Sequence, residues 1–255
     1  MLPKEHGAYG QLAFPLITAL VVTGLARAPM LTAAAVVALF LAHEPMLVLL
    51  GHRGRRARAQ DAQRAWWWLN AALVVGTASA ILAIDATAPA LRWTFLVPLV
   101  PAAWLAYAAI RGHEKTSLGE TGAAVAFAAA ALPICAGAAK PMIGAVIAVA
   151  FALLFVLATL AVRVIVLRTR GGGNPQSVRR TRAATFAVAG VGMLVALAAA
   201  SDAVIPWSTA AAMLPGIAFI SALAAFPPPA GRLKKVGWTL VAVSALTSVL
   251  LIAVA

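Results

Sequence analysis

Three adjacent pairs of a histidine and a glutamate stand out in a chain otherwise poor in ionisable groups: Glu5-His6, His43-Glu44 and His113-Glu114. Only seven acidic residues and four histidines occur in all 255 positions. A carboxylate beside an imidazole can hold a metal, move a proton or act as a base. Glu44 is the foremost candidate. It lies about seven residues, roughly 10 Å of helix, before the end of an apolar stretch, a depth at which an ionisable group faces a cavity or a partner. His43 beside it reads as a metal ligand, a proton carrier or a satisfied core histidine. Pro45 follows at once and disfavours helical geometry at Glu44. The alternative for Glu44 is a structural ion pair, with Arg163 or with an arginine of its own loop.

Arginines surround these pairs. Arg53, Arg55, Arg56, Arg58 and Arg64 follow the apolar stretch, and Arg163 and Arg168 close a later one. The guanidinium fork matches phosphate and diphosphate oxygens, so Arg53, Arg163 and Arg168 are candidate anion holders, with Glu5, His6, His113 and Glu114 as further substrate contacts. Arg163 can instead snorkel to the interface. Arg179, Arg180 and Arg182 read as topology signals. Glu120 opens an apolar stretch and is a candidate base, or a charge set against a helix dipole.

The elements that must position these groups are membrane helices. The chain is 63% apolar and 11% charged, with a mean hydropathy of +0.96, where soluble domains have about 25% charged residues. Nine windows are long enough, or nearly so, to cross a bilayer: approximately 7–26, 31–51, 65–84, 93–110, 121–139, 141–162, 183–201, 205–225 and 236–255. Lipid cannot satisfy backbone polar groups, so the expectation is an all-α polytopic bundle, read as a single domain over 1–255. The first window resembles a signal peptide but reads as an uncleaved first helix. The eighth helix should stop near Ala225, before Phe226-Pro227-Pro228-Pro229.

Of the 20 Lys and Arg residues, all but Arg27, Arg92 and Lys140 fall on one face of a nine-span topology. That asymmetry puts the N-terminus in the cytoplasm and explains the net charge of +13 better than nucleic-acid binding does. It also gathers every His–Glu pair at one membrane face. Trp66, Trp67, Trp68, Trp93, Trp207 and Trp238 fall at span ends, where an aromatic belt belongs. Gly171-Gly172-Gly173-Asn174-Pro175 lacks phosphate-loop spacing. The one cysteine, Cys135, forms no disulfide within the chain and no thiolate cluster.

Pro3-Lys4-Glu5-His6-Gly7-Ala8-Tyr9-Gly10 resembles the opening of the YwiC-like family of bacterial membrane proteins. His43-Glu44-Pro45, Glu114 through Glu120 and Asn174 through Arg180 resemble that family too. The family implies a location in the bacterial cytoplasmic membrane and no assigned chemistry. A fainter similarity, at Tyr107 through Pro133, is to UbiA-type prenyltransferases, which have nine spans and chemistry at the cytoplasmic loops. That resemblance implies Mg²⁺ held on a prenyl diphosphate by two aspartate-rich motifs. The chain departs from it: no acid occurs between Arg163 and Ser201, so the second motif is missing and the metal is unknown. Three readings stay open. The first is a UbiA-like enzyme or binder of an isoprenoid or phospholipid phosphate, with Glu44, His43 and Glu120 as base or metal ligands. The second is a proton-coupled small-molecule transporter. The third is a non-catalytic accessory protein of a respiratory or envelope complex.

Overall fold

The computed structural model describes residues 6–112, 116–169 and 174–255. Every regular element among them is helical. In chain order these are α1 (His6–Thr23), α2 (Arg27–Leu49), α3 (Arg55–Ala86), a 3₁₀ segment (Pro89–Leu96) leading into α4 (Leu99–Ile110), α5 (Ser117–Ala129), the short α6 (Ala131–Ala136), α7 (Pro141–Thr169), α8 (Pro175–Ser201), α9 (Trp207–Ala225) and α10 (Leu233–Val254). Eight stretches are long and apolar enough to cross a membrane, and the apolar part of α1, Gly7–Thr23, is a shorter ninth. This is a multi-pass membrane protein.

Packing divides the chain into two compact units, Met1–Ala148 and Val149–Ala255, with the boundary inside α7. In the first unit, α2 and α3 form a long hairpin. The buried residues of α3 are Ala65, Ala72, Gly76 and Ala83, which lie along one stripe of the helix. All are small, so the two backbones approach closely: a methyl group added at Gly76 would stand 3.4 Å from Cβ of Ala38. Most of the rest of α3 is exposed, which suits a lipid-facing helix. Rings join α1, α2 and α5, with Tyr9 edge-on to Phe40 at 5.1 Å and Phe40 edge-on to Phe127 at 5.6 Å.

The fifth span is broken. α5 ends at Ala129, and all six residues of α6 are buried. Helices α1 and α2 and the 3₁₀ segment pack around α6. Gly144 of α7 lies so close to α6 that an added Cβ would fall 2.7 Å from Cβ of Cys135 and 2.9 Å from the carbonyl oxygen of Ala131. Nζ of Lys140 donates to the carbonyl oxygen of Val22 at 2.9 Å, a cation on the C-terminal end of α1.

In the second unit, α8 packs on α9 and α9 on α10. Glycines again mark the close approaches. A Cβ at Gly192 would meet Leu153 of α7, and one at Gly216 would meet Leu154 of α7 and Thr247 of α10. α9 ends at Ala225 as its prolines require.

Two sequence expectations need correction. The stretch after α2 is not a long basic loop: the turn ends at Gly54, and Arg55 through Arg64 form the first turns of α3. Likewise α7 and α8 run past their apolar windows, to Thr169 and back to Pro175. Basic residues are good helix formers, and water or headgroups solvate them there, so hydropathy marks the membrane edge and not the helix end. Nor does Pro45 break its helix. It removes the bond to the Leu41 carbonyl but α2 continues to Leu49, since a membrane bundle tolerates proline when packing holds the helix.

Candidate functional site

The site begins with how α2 ends. Its last turn closes with paired bonds: the Gly51 amide donates to the Val48 carbonyl at 3.0 Å, and the His52 amide to the Leu47 carbonyl at 3.0 Å. Gly51 has φ +82°, the left-handed position that such a cap assigns to glycine. The Gly54 amide then donates back to the Gly51 carbonyl at 3.0 Å, and Gly54 itself has φ +95°. Two glycines thus fold Gly51-His52-Arg53-Gly54 into a tight turn that sends the Arg53 side chain back over the end of α2.

There it meets Glu44. Nε of Arg53 donates to Oε1 at 2.9 Å, and Nη2 donates to Oε2 at 2.6 Å. Both carboxylate oxygens are engaged by one planar fork, the strongest geometry available to this pair. Glu44 is only 4% exposed. Leaving a bare carboxylate at that burial costs several kcal/mol, so Arg53 is what allows Glu44 to sit there. Of the two structural partners weighed for Glu44, its own turn supplies the one observed. The sequence offers only a hint of this, Gly51-His52-Arg53-Gly54 just past a buried acid, since the left-handed angles that aim the arginine are set by the fold.

The same turn reaches the end of α4. Cε1 of His52 lies 3.9 Å from the Cβ position of Gly112, which is itself held at φ +71°. The preceding Arg111 places its guanidinium over the Tyr107 ring at 5.5 Å, and Tyr107 packs against Trp104. The structure therefore gathers Glu44, Arg53, His52 and the Arg111–Gly112 corner at one end of the first unit. Arg55, Arg56, Arg58 and Arg64 are exposed on the adjoining turns of α3. Trp66, Trp67 and Trp68 follow, also exposed.

The other candidates are placed as follows. His43 is half-buried on α2. Glu120 is exposed in the first turn of α5. The cap of that helix is Thr116, whose hydroxyl accepts from the Gly119 amide at 3.2 Å. Arg163 is half-buried and Arg168 exposed on the part of α7 that belongs to the second unit. Glu5, His113 and Glu114 lie outside the described residues. His6 begins α1, and its side chain lies outside them as well.

Magnesium, which the UbiA resemblance implies, does not fit the described residues. Both oxygens of Glu44 are committed to Arg53. Among the described residues no three His, Cys, Asp or Glu side chains converge as a metal site.

Sequence reasoning treated Arg182 as a topology signal only. It lies on the inward stripe of α8 with Thr185, Ala189, Ala196 and Ala200, all four buried. Its Nε is buried and has no hydrogen-bond partner among the described residues.

The sequence profile of the YwiC-like protein family matches residues 2–135. The chain belongs to the YwiC-like family. No curated protein and no solved structure matches it. The YwiC-like region runs from the N-terminal end of the first unit to Cys135 in α6, so it contains Glu44, Arg53, both turn glycines and the Arg111–Gly112 corner.

Proposed function

We propose that this is a protein of the bacterial cytoplasmic membrane, with its N-terminus in the cytoplasm, that binds a phosphate-bearing lipid at the basic end of its first unit. The ligand's headgroup is that of an isoprenoid phosphate or a phospholipid. The supporting observation is the start of α3. It carries exposed Arg55, Arg56, Arg58 and Arg64 directly beside three exposed tryptophans. Tryptophan marks headgroup depth. Arg55 is about 16 Å of helix from Trp66, so the arginines span the layer in which lipid phosphates lie. A juxtamembrane cluster of this kind attracts anionic headgroups by about 1 kcal/mol per basic residue. The buried acid of α2, Glu44, is already satisfied by Arg53, and within residues 55–64 a single acid, Asp61, stands against four arginines.

Native mass spectrometry with lipid identification tests this. Wild type should carry a defined phosphorylated lipid that the combined Arg55→Ala, Arg56→Ala and Arg58→Ala variant loses. Retention of the same lipid by that variant would refute the assignment.

The Glu44–Arg53 fork favours a second reading, a non-catalytic accessory protein in which the pair is purely structural. Wild type carrying no specific lipid, with Glu44→Gln affecting only thermal stability, would place that reading first.

A further inference from the structure

The turn between α2 and α3 sets three proton-donating side chains along one open surface of the first unit. Arg58, one turn into α3, folds back along the turn: its Cδ lies 3.8 Å and its Nη1 3.9 Å from the Cβ position of Gly51. His52 follows Gly51, and its Cε1 lies 3.9 Å from the Cβ position of Gly112, at the end of α4. Arg111 stands beside Gly112, with its guanidinium over the Tyr107 ring at 5.5 Å. The order along the surface is therefore Arg58, His52, Arg111. All three side chains are exposed, so a ligand reaches them from the water side and needs no cavity. Among the described residues neither Arg58 nor Arg111 forms an ion pair, and the carboxylate of Glu44 is held by Arg53.

Two guanidinium groups with an imidazole between them offer more donors than a phosphodiester can take up. A diester has two free oxygens and one charge. A phosphate monoester ends in three acceptor oxygens and carries about −1.5 to −2 charges at pH 7. Arginine attracts either ester, and its fork engages two oxygens. The imidazole N–H can meet the third oxygen, which only the monoester has. Depth points the same way. Arg58 is about 12 Å of helix from Trp66, on the water side of the tryptophans that mark headgroup depth. In a diester lipid the headgroup alcohol is outermost and covers the phosphate. In a monoester the phosphate is itself the tip that meets the turn.

We propose that Arg58, His52 and Arg111 select a lipid that ends in a phosphate monoester, and that His52 is the residue that tells it from a diester. This rests on the phosphate-lipid reading of the start of α3 and narrows its ligand class.

The test titrates the full-length protein in detergent with phosphatidic acid and with phosphatidylglycerol of the same acyl chains, read by native mass spectrometry. Wild type should bind phosphatidic acid about tenfold more tightly, the value of one charge-assisted hydrogen bond. His52→Ala should lose that preference through weaker binding of phosphatidic acid. Should His52→Ala not fold, Arg111→Gln, on the other side of the surface, should narrow the preference as well. Displacement of phosphatidic acid by millimolar inorganic phosphate would support the site with free phosphate as its source, and resistance would support the lipid. Equal wild-type affinity for the two lipids, or an undiminished preference in whichever variant folds, would overturn the proposal and leave the lipid reading of α3 standing. A wild type that binds neither lipid would overturn both.

Discussion

Cutting the Glu44–Arg53 fork from its two sides should give unequal results. Arg53→Ala strands a carboxylate that is 4% exposed in the fold. Removing one partner of a buried pair costs about 3–5 kcal/mol. The Arg53 side chain is itself 19% exposed, so water can partly replace it and the lower end applies, about 3 kcal/mol. Glu44→Gln leaves the arginine, which can turn to water, and keeps one acceptor oxygen, so about 1 kcal/mol is expected. The double variant buries a neutral amide in place of a charge and should be more stable than Arg53→Ala alone. The coupling energy from the cycle should then be about 2 kcal/mol in favour of the pair. Reversible unfolding in mixed micelles with increasing SDS, on all four proteins, measures it. Equal losses for the two single variants, or a double variant less stable than Arg53→Ala, would refute the argument that burial of Glu44 depends on Arg53.

Three further outcomes are expected. Gly144→Ala should cost about 1–3 kcal/mol, because the new methyl meets the backbone of Ala131 and Leu132 at 2.9 Å and not a movable side-chain end; the same unfolding assay checks it, and a neutral result would show that α6 and α7 can separate freely. Gly51→Ala should cost about 1–2 kcal/mol from its φ of +82° alone, since the nearest side chain, Arg58, stands 3.8 Å away. For orientation, alkaline phosphatase fused after Ala255 should be active, and green fluorescent protein fused there should be dark, because an N-terminus in the cytoplasm and nine spans put the C-terminus outside; the reverse pattern would overturn the assignment of faces.

Hydropathy located the membrane-crossing parts well because burial in lipid is a property of composition, readable one window at a time. It misplaced helix starts wherever charge continued the helix, as at Arg55 and Pro175, because hydrogen bonding and not hydropathy sets a helix end. The break at Ala130 had a signal that was passed over: Pro133 has no N–H to give to the Ala129 carbonyl, so the helix loses a bond where α5 ends, and packing holds α6 beyond it. For the site, a buried acid needing a partner was legible at Glu44. Which arginine answers it depended on two left-handed glycines whose backbone angles no composition reveals. Arg182 was passed over because its neighbours Arg179 and Arg180 make the segment look uniformly solvated, and only the helix phase separates them.

The Glu44–Arg53 fork also has a consequence for the order in which the chain can assemble. Its partners are nine residues apart in one hairpin, so closing it needs no later span. As the chain leaves the ribosome, α2 must enter the bilayer carrying an acid near its end. Its counter-ion is the first arginine to emerge after it, and the Gly51–Gly54 turn brings the two together before α3 is complete. The one buried carboxylate among the described residues can therefore be neutralised locally and early, and the α2–α3 hairpin can be handed to the membrane as a finished piece on which α5 and α6 are later laid.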